Sequence, residues 1–586
     1  MLAVALGLVF ALSGCARQVA IPPWMEPPEG LCHLPVVKLT ANQFDDPDEA
    51  SGRPDSPDVR EFIRTLGDGL RSASPLKAEN DSKSVLVLSG GSLHGAFGAG
   101  LFYGWAKAAG EGGEQPPTYD IITGVSTGAL QSTFIFLATS KSDKIKNSAT
   151  SIRNRLGDVP FLRDRLYHEK NGVAGPETGY LATLAQDYMP DRESDLLHLH
   201  PLQKLSPNKL GFLELINHDG LANMDPLRRV IRAELSDDAL RGVATEANSG
   251  RRLYVAIADL ENKYGYAADL TKLAQLAVLA AEPGAKTPEE IQDLEGVFPE
   301  YRRSHPHSEA IYLEWARDCY TDALVASSSV PPGVNAVPIE IIKEGKDGHI
   351  LDPNSPRLRA ARGLPKQVVP SNYVAGRHVF VDGGALFAVF FSQLHDEIKD
   401  LPKVDMDLIV NGTYFPKEWD KWLDSHGKTK RIEKMRLSSV DYGLGAADLL
   451  QTQVRIFSVQ EARRWESGRG TFRWALIDNR AIVGTPDGMD KFFHWPGKRY
   501  EGTPFDWGFA TAKGSGSCQH WHDTVDRKMN PMEFYPVYMQ CMLDYGITRG
   551  ADPKRRWNMC LSADQRNCGA LASIADEATP RASSAE

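Results

Sequence analysis

Blocks of apolar and polar positions along the chain predict a core of parallel strands and helices. "SVLVLSG" is a short unbroken apolar run of the kind a strand buried on both faces needs. "LHGAFGAGLFYGWAKAAG" follows it, with Phe97, Leu101 and Trp105 at helical spacing. "TYDIITG" predicts a second buried strand and "STGALQSTFIFLA" a second helix. Strand, helix, strand, helix in so short a stretch implies parallel strands joined by right-handed crossovers. Farther on, "MDPLRRVIRAEL" predicts a helix with a proline just inside its start and Leu227, Val230 and Ile231 on its buried face. "RRLYVAIADLENKYGY" reads as a strand with Asp259 at its end, then a turn. "EAIYLEWARDCYTDALVASSSVPP" reads as a helix halted by its prolines, and "RHVFVDGGALF" and "VDMDLIVNGTYF" as two more strands.

Composition changes the picture at both ends. The opening "MLAVALGLVFALSGCARQ" is an apolar stretch too short to span a bilayer, which takes about 20 residues, and it reads as the apolar region of a signal peptide. Residues 16–80 are rich in Pro, Asp and Ser and are expected to form a tether and a partly ordered cover. The core domain is expected over 81–415, with polar insertions near 141–217 and 272–308. A Cys- and Trp-rich extension over 416–586 is expected to pack on it. With 586 residues, 42% of them hydrophobic, a large core is available; a net charge of -10 with no basic block argues against a nucleic-acid partner. Setting Cys15 aside, six of the seven cysteines remain, and an even number in an exported chain suits disulfides whose pairing the sequence does not choose. None has the spacing of a zinc site.

The chemistry concentrates in two segments. Gly124-Val125-Ser126-Thr127-Gly128 has the nucleophile-elbow pattern and lies between a predicted buried strand and a predicted apolar helix, the context such a serine requires. Gly90-Gly91-Ser92-Leu93-His94-Gly95 follows the first strand and opens the first helix, which is how a backbone offers free N–H groups to an anion. Taken alone, the pentad is also compatible with a loop serine. It is compatible as well with an ordinary α/β-hydrolase using one of His395, His426, His494, His520 or His522. The glycines lack the Gly-Lys-Ser/Thr ending of a nucleotide loop.

Several features in one order resemble the patatin-like phospholipases: the Gly-rich loop, the Ser126 elbow, "DPLRRVI", the strand ending in Asp259-Leu260, "ASSSVPP", and Asp382-Gly383-Gly384. The resemblance covers roughly Ser84 to Phe415 and implies a three-layer α/β/α fold with a mostly parallel central sheet. It implies a serine acyl-ester hydrolase of the phospholipase A or lysophospholipase type. Ser126 would be the nucleophile, Asp382 the base, and residues 90–95 the source of oxyanion-hole N–H groups, with no metal and no organic cofactor. Ser92 and His94 depart from the family's usual Gly and Arg, and the usual Asn-x-Pro after the Asp turn is absent. If the charge of His94 ordered the loop, hydrolysis would decline as pH rises through its pKa. Leu12-Ser13-Gly14-Cys15 is similar to a bacterial lipobox, which implies lipidation of Cys15. The expected location is the cell envelope, at the outer membrane facing the periplasm, and the expected substrate is membrane phospholipid. The competing expectation is a catalytically silent envelope lipoprotein that keeps the fold as a binding or structural module.

Overall fold

The computed structural model describes residues 32–39, 83–146, 179–190, 193–199, 222–301, 309–344, 350–351, 377–389, 404–413, 470–477 and 534–562, apart from positions 262 and 332, together with Val454 and Cys518. The segment expected as a signal peptide, Cys15, and the five histidines that an α/β-hydrolase triad could draw on lie outside the described residues.

The first half of the sheet comprises β1 (Leu34–Lys38), β2 (Lys83–Leu88), β3 (Ile121–Val125), β4 (Arg252–Asp259) and β5 (Gly265–Asp269). The second half comprises β6 (Val337–Glu344), β7 (Ile350–Leu351), β8 (Arg377–Asp382), β9 (Val404–Thr413), β10 (Thr471–Ile477) and β11 (Met559–Ser562). They lie in the order β8-β6-β1-β5-β4-β3-β2-β9-β10-β11, with β7 beside β6. The central five, from β4 to β10, run parallel. Antiparallel strands finish both sides: β11 on β10, and β5 between β4 and β1.

The helices are α1 (Gly95–Gly110), α2 (Thr127–Ala138), α3 (Tyr180–Asp187), α4 (Asp225–Glu234), α5 (Asp237–Asn248), α6 (Leu270–Ala281), α7 (Pro288–Val297), α8 (Glu309–Ser327) and α9 (Pro536–Ala551). Their apolar sides meet Leu86, Leu88, Ile122, Leu253, Val255 and Ile257 on one face of the sheet. Val85, Val87, Ile121, Val125, Tyr254, Met406 and Leu408 face the other way and are buried with Phe387 and Val389. Both faces are therefore covered, which is why these strands read as unbroken apolar runs. The architecture is the expected three-layer α/β fold.

Three boundaries differ from the sequence reading. Leu34–Lys38, within the stretch expected as tether, is an interior strand between β5 and β6. Its "LPVVK" is too short and too isolated to announce itself, and its partners are distant in sequence. Most of α6 falls in the segment expected as a polar insertion, yet Leu273, Ala274, Leu276 and Ala277 are buried. The extension beyond 416 does not merely rest on the domain: β10 and β11 continue the main sheet. Arg473 of β10 grips Asp407 of β9 through two bonds of 2.7 Å, and the Tyr119 hydroxyl donates to the same carboxylate at 2.7 Å.

The extension also supplies α9, which packs backbone to backbone on α1. A Cβ added at Gly100 or Gly104 would overlap the carbonyls of Leu543 or Ile547; one added at Gly546 or Gly550 would overlap those of Phe97 or Leu101. Each helix thus presents two glycines four residues apart, and without side chains between them the axes approach closely. Disulfides join Cys32 to Cys319 and Cys518 to Cys541, and Cys560 is also disulfide-bonded. The first ties the segment before β1 to α8, and the second ties α9 to the chain before it.

Candidate active site

The register of the parallel strands brings the two glycine-containing segments together. Leu88 lies opposite both Gly124 and Ile409, and Val125 lies opposite Ala256, so the chain leaves β2, β3 and β9 side by side at their carboxyl ends. Crevices outside the carboxyl ends of parallel strands are where α/β sheets place ligands.

Ser126 turns the chain from β3 into α2 with φ 54° and ψ −126°, a conformation that disfavours any residue with a Cβ. The elbow glycines allow this turn to close: a Cβ on Gly124 would press on the Gly128 carbonyl, and one on Gly128 would overlap the Leu88 carbonyl. The strained backbone is pinned from several directions. The Ser126 N–H donates to Ser327 Oγ at 3.0 Å, and that hydroxyl donates to the Ala256 carbonyl at 2.6 Å. Thr127 Oγ1 is hydrogen-bonded to the Tyr188 hydroxyl, which also reaches the Thr127 carbonyl at 3.0 Å.

Asp382 ends β8. That strand starts antiparallel to β6 and finishes antiparallel to β4, where Asp382 lies opposite Ile257. Its N–H donates to the Ser329 carbonyl at 2.9 Å, and its carboxylate accepts the Gly384 N–H at 2.6 Å. Gly383 is obligatory in this turn because a Cβ there would overlap the Ala256 carbonyl. The Ser126 side chain lies close enough to the carboxylate to lower its proton affinity. Asp382 is only 2% exposed and Ser126 5%. Burial pushes the Asp382 carboxyl up to about 7, against the opposing pull of the Ser126 side chain and the Gly384 N–H.

The Gly-rich loop lies against the same serine. A Cβ on Gly90 would sit 3.1 Å from Ser126 Cβ, and one on Gly91 would collide with the Asn411 carbonyl. Ser92, Leu93 and His94 form a single 3₁₀ turn that runs into α1, with Ser92 in the left-handed region at φ 50°. That explains why a glycine suits this position. The first N–H groups of such a turn have no acceptor within it, and those of Gly91 and Ser92 make no hydrogen bond among the described residues. The His94 N–H donates to the Gly91 carbonyl at 3.0 Å, and its Nδ1 is 3.1 Å from the same oxygen. A neutral imidazole protonated at Nδ1 makes that second bond, so closing the turn does not demand a charge on His94. Gly95 abuts Thr127 and Tyr188, joining the loop to the elbow.

Several supporting residues carried no sequence signal. The Asn411 N–H donates to Ser89 Oγ at 2.8 Å, and its Nδ2 donates to the Ser89 carbonyl at 2.9 Å. Gln131 Nε2 donates to the Gly95 carbonyl at 2.6 Å. Asn411, Gln131, Ser89 and Ser327 are all fully buried. Only the strand or helix containing each could be read in advance, because their partners are remote in sequence.

One group of three side chains among the described residues has metal-ligating atoms close enough to share a cation: Asp259, Glu261 and His378, all within 4.8 Å of one another. His378 Nδ1 lies 3.1 Å from Asp259 Oδ2, and the Glu261 N–H donates to Asp259 Oδ1 at 2.9 Å. These contacts already give the buried Asp259 carboxylate its partners.

The arrangement brings the two expected reactive side chains, the elbow glycines and the Gly-rich loop into one place. A serine oxygen, a carboxylate of raised proton affinity and unengaged N–H groups are the parts that acyl transfer needs. No curated protein matches the chain. A family model described as patatin-like phospholipase matches residues 86–394, more than half of the chain. The family is one of hydrolases acting on lipid esters, and the match takes in the Gly-rich loop, the elbow and the Asp turn. The chain belongs to the patatin-like phospholipase family.

Proposed function

We propose that the protein is a lipid acyl hydrolase that cleaves acyl esters of membrane phospholipids through a Ser126–Asp382 dyad. The observation that carries this reading is the convergence of buried Ser126 and buried Asp382 beside the Gly90–Gly91 loop. Asp382 takes the Ser126 proton as Oγ bonds to the acyl carbon. The resulting oxyanion is held by N–H groups of the Gly91–Ser92 turn. The ester C–O bond then breaks, and Asp382 returns the proton to the departing alcohol. Water, deprotonated by the same carboxylate, releases the fatty acid and restores Ser126.

A base with a pKa near 7 suits this work, since about half of it is ionised at neutral pH and it still binds a proton readily. Lipidation at Cys15 would hold the enzyme at the envelope and raise its effective concentration toward bilayer lipid. The test is labelling with a serine-reactive fluorophosphonate, together with product profiling on a mixed phospholipid pool. Wild type should be labelled and should release fatty acid, and Ser126→Ala should do neither. Absence of both in folded wild type would favour the silent envelope module instead.

A further inference from the structure

We infer that Ser327 is a positioning residue that holds the nucleophile in its strained conformation by accepting the Ser126 N–H. The inference rests on the proposed hydrolase reading.

Ser327 ends α8 and is fully buried. Its one hydroxyl proton goes to the Ala256 carbonyl of β4 at 2.6 Å, which fixes the direction of its lone pairs. One of them meets the Ser126 N–H at 3.0 Å. At φ 54° and ψ −126°, the Ser126 amide is turned out of the course of both β3 and α2. A buried N–H in that position needs an acceptor supplied from elsewhere, and Ser327 provides it across a separation that no local pattern reports.

Two residues later, the Ser329 carbonyl accepts the Asp382 N–H at 2.9 Å. The carboxyl end of α8 therefore contacts the backbone of both members of the proposed dyad. A shift of this helix end would move the serine and the carboxylate together. Loss of the Ser327 hydroxyl alone would release only the serine, letting the elbow relax toward an ordinary dihedral and carry Oγ away from Asp382.

The experiment compares wild type, Ser327→Ala and Ser327→Thr in the full chain, well below the melting midpoint of each. It measures the fluorophosphonate rate constant per labelled site, the final labelled fraction and the steady-state split of kcat and KM. Ser327→Ala should label to the same fraction but about 10- to 100-fold more slowly, as misplacement of a reacting atom by about 1 Å predicts. The same loss should appear in kcat, with KM little changed, and Ser327→Thr should recover most of the rate. A merely structural serine would lower the melting midpoint and leave the rate per folded molecule alone, and that result overturns the inference while the hydrolase reading stands. If folded wild type is not labelled, the hydrolase reading falls and this inference falls with it. Should Ser327→Ala not fold, hydrogen exchange of wild-type peptides spanning Ser126 decides: retention of that amide proton as long as those of β3 supports the bond, and rapid exchange overturns it.

Discussion

Ser126 and Asp382 meet although their strands, β3 and β8, do not pair with each other; β4 stands between them and pairs with both. The meeting depends on how little β4 projects at that level. Ala256 faces the turn, Gly383 lies against its carbonyl, and the same carbonyl receives the Ser327 hydroxyl.

The first prediction concerns pH and rate. The proposed base works only when ionised, and burial sets the Asp382 carboxyl near 7. The acid side of a kcat/KM profile should therefore fall roughly tenfold per unit below about 7. An acid limb at the ordinary carboxylate value near 4 would show that Asp382 is not the titrating base.

Stability should run the other way. Asp382 is raised from 3.8 to about 7 on folding, so between those values the folded chain holds a proton that the unfolded chain has released. Its contribution to stability is full below about 4, is lost progressively as pH rises to about 7, and is constant above. Asp382→Asn, which carries no such ionisation, should gain stability over wild type across that window and keep the gain at pH 8, while losing activity. Equal slopes of melting midpoint against pH in the two proteins would contradict this.

The α1–α9 contact makes a prediction that helix propensity alone would get wrong. Gly→Ala in a helix interior ordinarily stabilises by about 1 kcal/mol. At Gly100 and Gly546 a methyl group would meet a backbone carbonyl of the facing helix, which cannot swing aside as a side chain can. Gly100→Ala and Gly546→Ala should each destabilise by about 1–3 kcal/mol, read by denaturant unfolding. Gly110→Ala, which has open space around it, should not.

Asn411 tests the support of the Gly-rich loop. Asn411→Ala leaves the Ser89 carbonyl without its Nδ2 donor, a loss of about 1–3 kcal/mol for a buried group. Because the Asn411 backbone also closes on Gly91, the rate of hydrolysis should fall more than the folded fraction does. A proportional fall in both would assign Asn411 to stability alone.

Local sequence signals located the centre of the molecule well. β2, β3, β4, β8 and β9 all fall on apolar runs, and the elbow and the Asp turn stand where strand-to-turn transitions were expected. What was not legible depends on partners distant in sequence. β1 is five residues whose role as a strand exists only between β5 and β6. Ser327 and Asn411 gain meaning from contacts across the sheet. The loop of residues 90–95 is legible as a cradle for an anion, but the glycines that follow it in the helix carry no sign of what they face. Gly98 fits against Asn411 and Gln131, while Gly100 and Gly104 make room for a helix from the far end of the chain. The sequence shows that bulk is missing at those positions, but not what fills the space.

The place of β1 in the sheet has a consequence for the order of events during biogenesis. It is the earliest-synthesised of the described strands, yet β5 and β6, which flank it, emerge only long afterward. Until then its main-chain amides have no ladder to join, and the emerging polypeptide carries an unpaired template for strand pairing. Sheets completed by such remote pairings assemble slowly, so the growing chain should benefit from a holding factor until β5 and β6 are available.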